Sequence, residues 1–273
     1  MMGAGGAGIA AGRGRRRMGA RGWFAPALAV ALAIALAFLT LPVLAVFVDR
    51  PPGDLIASLG EEGALDALWL SLKATSAALA IIVIVGTPAA YFLATRRFRG
   101  RALVITLIEL PLVLPPAVAG IALLAAIGPS LTFETGGVIV ALTFVASPYY
   151  VRQAQAAFGA IDRRWLEASR TLGVDEARTF ARVAIPTAAP GLLTGGALAL
   201  GRALGEFGAT LMFAGSLTGV TQTAPLAIYE RFATDFDGAL ALSAVLVAVS
   251  GAILLAVKLV GGWDALGDGG RRA

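Results

Sequence analysis

The chain of 273 residues has no histidine and no cysteine, and only 14% of its residues are charged. These absences exclude a zinc site of thiolates or imidazoles, a disulfide framework, a thiol nucleophile, a Ser-His-Asp or Cys-His triad and a histidine-ligated haem. No G-x-x-x-x-G-K-[ST] occurs, so the chain offers no P-loop for ATP. Gly3, Gly5 and Gly8 spell G-x-G-x-x-G, but no strand pattern precedes them and no βαβ unit surrounds them. That segment reads as a disordered Gly/Ala/Arg tail on an anionic membrane surface, not as a nucleotide fold.

Apolar residues are what the sequence has in excess: 58% hydrophobic, with a mean hydropathy of +0.82. An ordinary soluble domain is far richer in charge, so the composition is that of a membrane protein, and the long apolar runs make its predicted class all-α. The net charge of +5 matters less than where each charge sits, and nucleic-acid binding is not the natural reading. A spanning helix needs about 20 apolar residues to cross a core of about 30 Å. Six such segments are predicted: Phe24 to Val48, Leu68 to Ala94, Ala102 to Ile127, Gly137 to Val151, Pro190 to Ala214 and Gly238 to Val260, the fourth being short.

The first run is longer than a signal-peptide core and no A-x-A site follows it, so it is predicted to be retained. With the N-terminus inside, eighteen Lys/Arg fall in inner segments and only Arg50 and Arg231 in outer ones, while the outer loops are acidic. Both termini are therefore expected in the cytoplasm. The predicted organisation is a basic tail (1–22), a first helix with its outer loop (23–63), a membrane core (64–261) holding a cytoplasmic segment (152–186), and a short cytoplasmic tail (262–273).

The cytoplasmic segment reads as two short helices. Asp162 is a plausible N-cap, and Trp165, Ala168, Ser169 and Leu172 fall on one face, with Arg163, Glu167 and Arg170 on the other. Gly173 suits a left-handed C-cap, Asp175 can cap a second helix carrying Ala177, Phe180, Ala181 and Ala184, and Pro186 starts the next span. The residues alone fit either a projecting knob or a well-capped cytosolic loop. In the fifth span, Ala197, Gly201, Gly205 and Ala209 recur every fourth residue, as do Gly191, Gly195, Ala199 and Ala203, giving stripes along which helices approach closely. Thr194, Arg202, Glu206 and Thr210 are placed beside them on roughly one face, where Arg202 and Glu206 can pair. That pair is either a structural ion pair or part of a path or gate. Lys73 is expected to snorkel to the outer surface, and Glu109 to pack in the bundle or snorkel. Pro88, Pro111, Pro115 and Pro116 mark kinks or breaks.

Glu167-Ala168-Ser169, then Gly173, then Val183-Ala184-Ile185-Pro186 resembles the E-A-A-x3-G-x9-I-x-L-P signature of the permease subunits of ABC importers, with the spacing kept throughout. Gly201 to Met212, Thr221-Gln222-Thr223-Ala224-Pro225-Leu226-Ala227-Ile228-Tyr229 and Pro111 to Pro116 are similar to the molybdate-type permeases of that family. Phe207 stands where sulfate/thiosulfate permeases usually carry tyrosine and tungstate permeases valine, and the outer loop Gly128 to Gly136 is shorter than the family's.

The resemblance implies a type I importer permease fold in a bacterial cytoplasmic membrane. It also implies coupling to two copies of a separate ABC ATPase through Glu167, Ala168, Gly173 and Pro186, with ATP and Mg bound by that partner. An external oxyanion-binding protein and a second permease copy complete the expected assembly, within which Arg202, Glu206 and Thr210 stay the path or gate candidates that the residues of the fifth span suggest, a structural ion pair being the alternative. No cofactor and no enzymatic activity are expected of the chain itself. An ion channel would need a selectivity element, and an intramembrane enzyme clustered carboxylates or a histidine; neither pattern is present in the sequence.

Overall fold

The computed structural model describes residues 24–48, 53, 60 and 63–268. The basic tail 1–22, most of the loop predicted to lie outside after the first helix, and Arg271 and Arg272 lie outside them. Every described element is helical: α1 Phe24–Val48, α2 Ala64–Thr95, α3 Arg101–Val113, α4 Pro116–Ile127, α5 Thr135–Gly159, α6 Arg163–Thr171, α7 Glu176–Leu204, α8 Gly208–Ala214, α9 Ala224–Phe232 and α10 Phe236–Asp268. Residues up to Val48 form one compact unit and those from Asp49 another. The first unit's helix is apolar on all sides, as suits a lipid-facing span.

Among the described residues, α1, α2, α7 and α10 are each long and apolar enough to cross a membrane. The predicted third span is not one helix. α3 and α4 are bent by 119° at their junction and qualify as a crossing only together. The cause is Pro115-Pro116: Leu114, preceding a proline, is held extended (φ −67°, ψ 131°), and Pro115 has no N–H to continue the ladder. The predicted short fourth span lies in α5, which is 25 residues and about 37 Å long but not among the helices apolar enough to qualify, so the described residues give four crossings, or five with the bent pair, where six were predicted. It continues past Val151 to Gly159, so Arg152 sits within a helix and not in a cytoplasmic loop.

α2, α5 and α7 form the core of the second unit, with Ala74, Ala78, Ile82, Leu142, Ala146 and Ala199 among the buried contacts. Small residues make the approach possible. A Cβ on Gly191 would collide with Ala157 Cβ, and one on Gly86 would stand 3.0 Å from the Tyr150 ring. The stripe Gly191, Gly195, Ala199, Ala203 is thus the α7 face that meets α5. The other stripe is interrupted: Ala197 is buried, whereas Gly201 and Gly205 are exposed. Glu109 is half-buried and its carboxylate lies 3.3 Å from Nε of Arg152 on the neighbouring α5; with both groups partly exposed, that pair adds little to stability. Lys73 is exposed on α2.

Candidate functional site

The segment after α5 folds into a knob held by local chemistry. Asp162 caps α6 by accepting from the Arg164 N–H (2.9 Å), and Asp175 caps α7 by accepting from the Arg178 N–H (2.8 Å). Between them Gly173 takes φ +78°. The Val174 N–H donates to the Ser169 carbonyl and the Gly173 N–H to the Arg170 carbonyl. These two bonds are the Schellman pattern, which closes α6 and reverses the chain. The hydroxyls of Ser169 and Thr179 join the two helices at 2.9 Å in a buried contact. A serine at this place in the signature therefore stitches the knob together, which alanine could not do.

The buried side of α6 differs from the predicted one. Leu166 and Ser169 face inward, while Trp165, Ala168 and Leu172 are exposed, Leu172 at 82%. A nine-residue helix buries only what its neighbours cover: Ser169 lies against Thr179 of α7 and Leu166 joins the apolar cluster of α2 and α5, and the apolar stripe is left outward. Glu167 and Arg170 are exposed as predicted. The sequence places Trp165, Glu167, Ala168 and Leu172 on one short helix, and the structure presents all four to the outside.

A second correction concerns Pro186. It does not start a separate span: residues 176–204 are one continuous helical run containing a π turn at Phe180–Ala184. The Ile185 N–H bonds back to the Phe180 carbonyl, five residues away. A wide turn there accommodates a proline, which lacks an N–H and whose ring would clash with a carbonyl four residues back. The π turn aims Phe180 at Tyr91 of α2 (ring centroids 4.7 Å) and Phe158 of α5 (6.1 Å), with Tyr91 and Phe158 edge-on at 5.3 Å. Beside this ring cluster, Arg96 Nη2 at the end of α2 donates to both carboxylate oxygens of Glu176 at 2.6 and 2.7 Å, and Arg170 approaches the same carboxylate at 3.8 Å. Arg96, Glu176 and Phe180 are functional candidates that the sequence reading missed. Their juxtaposition depends on α2 reaching the knob, and no local pattern reports that.

At its far end α7 stops at Leu204, and α8 begins only at Gly208. Thr194, Arg202, Glu206 and Thr210 therefore do not share a face of one helix. Arg202 and Glu206 do meet: Arg202 Nη2 lies 2.6 Å from Glu206 Oε2. Glu206 is 1% exposed, and its Oε1 accepts from the Ala209 N–H at 2.7 Å, anchoring the first turn of α8. Thr194 is exposed and bonds the Pro190 carbonyl, whereas Thr210 is buried with its hydroxyl unpartnered. The Phe207 ring packs at a tilt of 52° against Tyr229 of α9, with centroids 4.9 Å apart. α8 is pressed on α4, where a Cβ on Gly208 would stand 2.8 Å from Pro116 Cβ and one on Gly120 2.7 Å from the Ala209 carbonyl. The short loop between α4 and α5 is tied to the same region: the Phe133 N–H donates to the Ala214 carbonyl and Thr135 to that of Val220.

Residues 83–260 match the family of binding-protein-dependent transport system inner membrane components. The molybdenum transport system permease protein ModB of Mycobacterium tuberculosis is 39% identical over 233 residues, covering 81% of this chain and 88% of that one. ModB of Escherichia coli is 33% identical over 211 residues, covering 72% and 91%. Among solved structures, a bacterial ABC transporter involved in the import of the acidic polysaccharide alginate aligns with a TM-score of 0.71 at 16% identity, covering 88% of this chain and 95% of that one. The MetNI methionine ABC transporter, in an inward-facing conformation, aligns at 0.60 and 19% identity, covering 72% and 94%.

Proposed function

Because the chain belongs to the family of binding-protein-dependent transport system inner membrane components, we propose that it is the permease subunit of an ATP-driven ABC importer and carries molybdate across the bacterial cytoplasmic membrane. The substrate follows from the relatives named for molybdenum transport, which match over most of the chain. The observation that carries the mechanism is the continuity of α7, a single helical run from the knob at Glu176 to the Arg202–Glu206 pair.

A separate ATPase subunit grips the exposed face of α6 through Trp165, Glu167, Ala168 and Leu172. Two such subunits act on two copies of this chain, and an external binding protein delivers the dianion. ATP and Mg belong to the ATPase, and this chain hydrolyses nothing. Displacement of the knob is carried up α7 as a rigid element, while the Arg96–Glu176 pair and the Tyr91–Phe158–Phe180 rings carry it to α2 and α5. At the far end the break at residues 205–207 lets α8 move separately from α7. High affinity is best placed in the delivering protein, because an anion held tightly by cations in the path is released slowly. Few cations in the spans suit that division of labour.

Two measurements test this reading. The purified chain, reconstituted in vesicles with its ATPase and binding protein, is expected to accumulate radiolabelled molybdate only when ATP is supplied; accumulation of tungstate or sulfate in its place would reassign the substrate. For orientation, both termini are expected in the cytoplasm. Because the chain has no cysteine, Thr218→Cys and Thr171→Cys, both at exposed positions, report the two sides. An impermeant thiol reagent is expected to label the first in intact cells and the second only in inverted vesicles, and the reverse result overturns the topology.

A further inference from the structure

The motif Thr221-Gln222-Thr223 ends just before the first residue of α9, and the molecule uses only its first two side chains. Thr221 Oγ1 accepts from the Leu217 N–H at 2.9 Å, and Gln222 Nε2 donates to Glu230. Thr223 occupies the N-cap of α9 and is 2% exposed, yet its hydroxyl caps nothing and has no partner. The first N–H of the helix, on Ala224, is instead met at 2.7 Å by Ser71 Oγ of α2. One turn further along α2 stands Thr75, also 2% exposed and also without a partner for its hydroxyl.

These groups are aligned. Ala64, Ala67, Leu68, Ser71 and Thr75 follow helical spacing on one face of α2, and the first three pack with Ala224 and Ala227. Residues 227, 230 and 231 line a pocket with Gly63, before the start of α2, while Ala224 meets Ser71 further along. α9 therefore runs antiparallel to α2, and its N-terminus points along α2 toward Thr75. Thr75 is eleven residues into α2, about 17 Å along its axis from the start of the helix.

We infer that the N-terminus of α9, with the hydroxyls of Ser71, Thr75 and Thr223, is a transit site for a tetrahedral oxyanion. The inference rests on the oxyanion reading given above. The start of α9 offers partial positive charge more than free N–H groups, since Ala224 already bonds Ser71 and Pro225 has no N–H, and helix N-termini face anionic substrates in transporters. Neutral hydroxyl donors add contacts without a formal charge, so the ion is held weakly enough to leave. Valine has nearly the shape of threonine and would fill either place without leaving a buried hydroxyl unsatisfied. Two such groups beside one helix end are costly unless something else pairs with them. In this conformation the site is closed, with all three residues at most 3% exposed. Opening it requires α9 to shift from α2, and the Phe207–Tyr229 contact ties that shift to the break beside Arg202 and Glu206.

The test compares Thr75→Val and Thr223→Val with Thr75→Ser and Thr223→Ser in reconstituted vesicles containing ATPase and binding protein. Each valine variant is expected to slow molybdate uptake about tenfold, the loss of one hydrogen bond to a charged group. Its thermal midpoint should equal or exceed the parent's, because the lost hydroxyl had no partner. Serine should keep the uptake. Parental rates in both valine variants, or serine variants as slow as the valine ones, overturn the site while leaving the permease reading intact. A parent that moves no oxyanion overturns both. If Thr223→Val does not assemble, Thr75→Val, in the middle of a helix, decides alone.

Discussion

Arg202→Ala is expected to destabilise the protein more than the double change Arg202→Met with Glu206→Gln. The single change leaves the Glu206 carboxylate 1% exposed with its Oε1 still on the Ala209 N–H and no cation for Oε2. Breaking a buried pair from one side costs about 3–5 kcal/mol, because the remaining charge is uncompensated. The double change removes the charge while the introduced amide keeps an acceptor for the Ala209 N–H, so most of that loss is restored. For a chain of this size the single variant's thermal midpoint should fall on the order of 10 °C, and the double variant's much less. The same variants separate the two roles left open for the pair. A double variant that is stable and imports molybdate normally makes the pair purely structural. One that is stable and fails to import assigns the Arg202 charge to the moving anion, in keeping with a side chain that is 25% exposed at the broken end of α7.

What the sequence made legible follows the range of the interactions involved. Asp162, Gly173 and Asp175 were readable because a cap is decided within about four residues, and each does in the structure what its type and place predict. The apolar lengths located α1, α2 and α10 for the same reason. The helix breaks were only half readable. Pro115-Pro116 marks an interruption, but the 119° size of the turn carries no local signal, and the packing of α4 on α8 through Gly120 and Gly208 joins residues about 90 positions apart. Similarly, the outward face of α6 depends on which side meets Thr179 and the apolar cluster that takes in Leu166, and helical periodicity alone assigned Trp165 and Leu172 to the wrong side. The Arg96–Glu176 contact spans 80 residues and had no local signal. Neither did the idle hydroxyls of Thr75 and Thr223, since a threonine in a sequence does not disclose whether it is bonded.

Gly173→Val is expected to leave the protein inserted and nearly as stable, yet to abolish ATP-dependent uptake. Glycine is required here by conformation and not by space. Its φ is +78°, while a Cβ added to it would meet nothing within 4 Å. A β-branched residue at that angle is strained, so the turn will relax toward negative φ. Relaxation breaks the Val174 to Ser169 bond of the Schellman pair and, through Ser169, loosens the hydroxyl contact with Thr179. The stability loss stays at about 1–2 kcal/mol, because only a small exposed knob is affected. Function suffers more, since α6 now meets the ATPase at the wrong angle. Gly173→Asn is the control: asparagine tolerates a left-handed backbone and should keep both ATPase co-purification and uptake. Glu167→Lys reverses the charge on the exposed face of α6 without touching the turn, so it should weaken co-purification while the knob keeps its shape. Parental association and uptake in both Gly173→Val and Glu167→Lys would make this segment an ordinary surface loop, and the coupling role assigned to α6 would be lost.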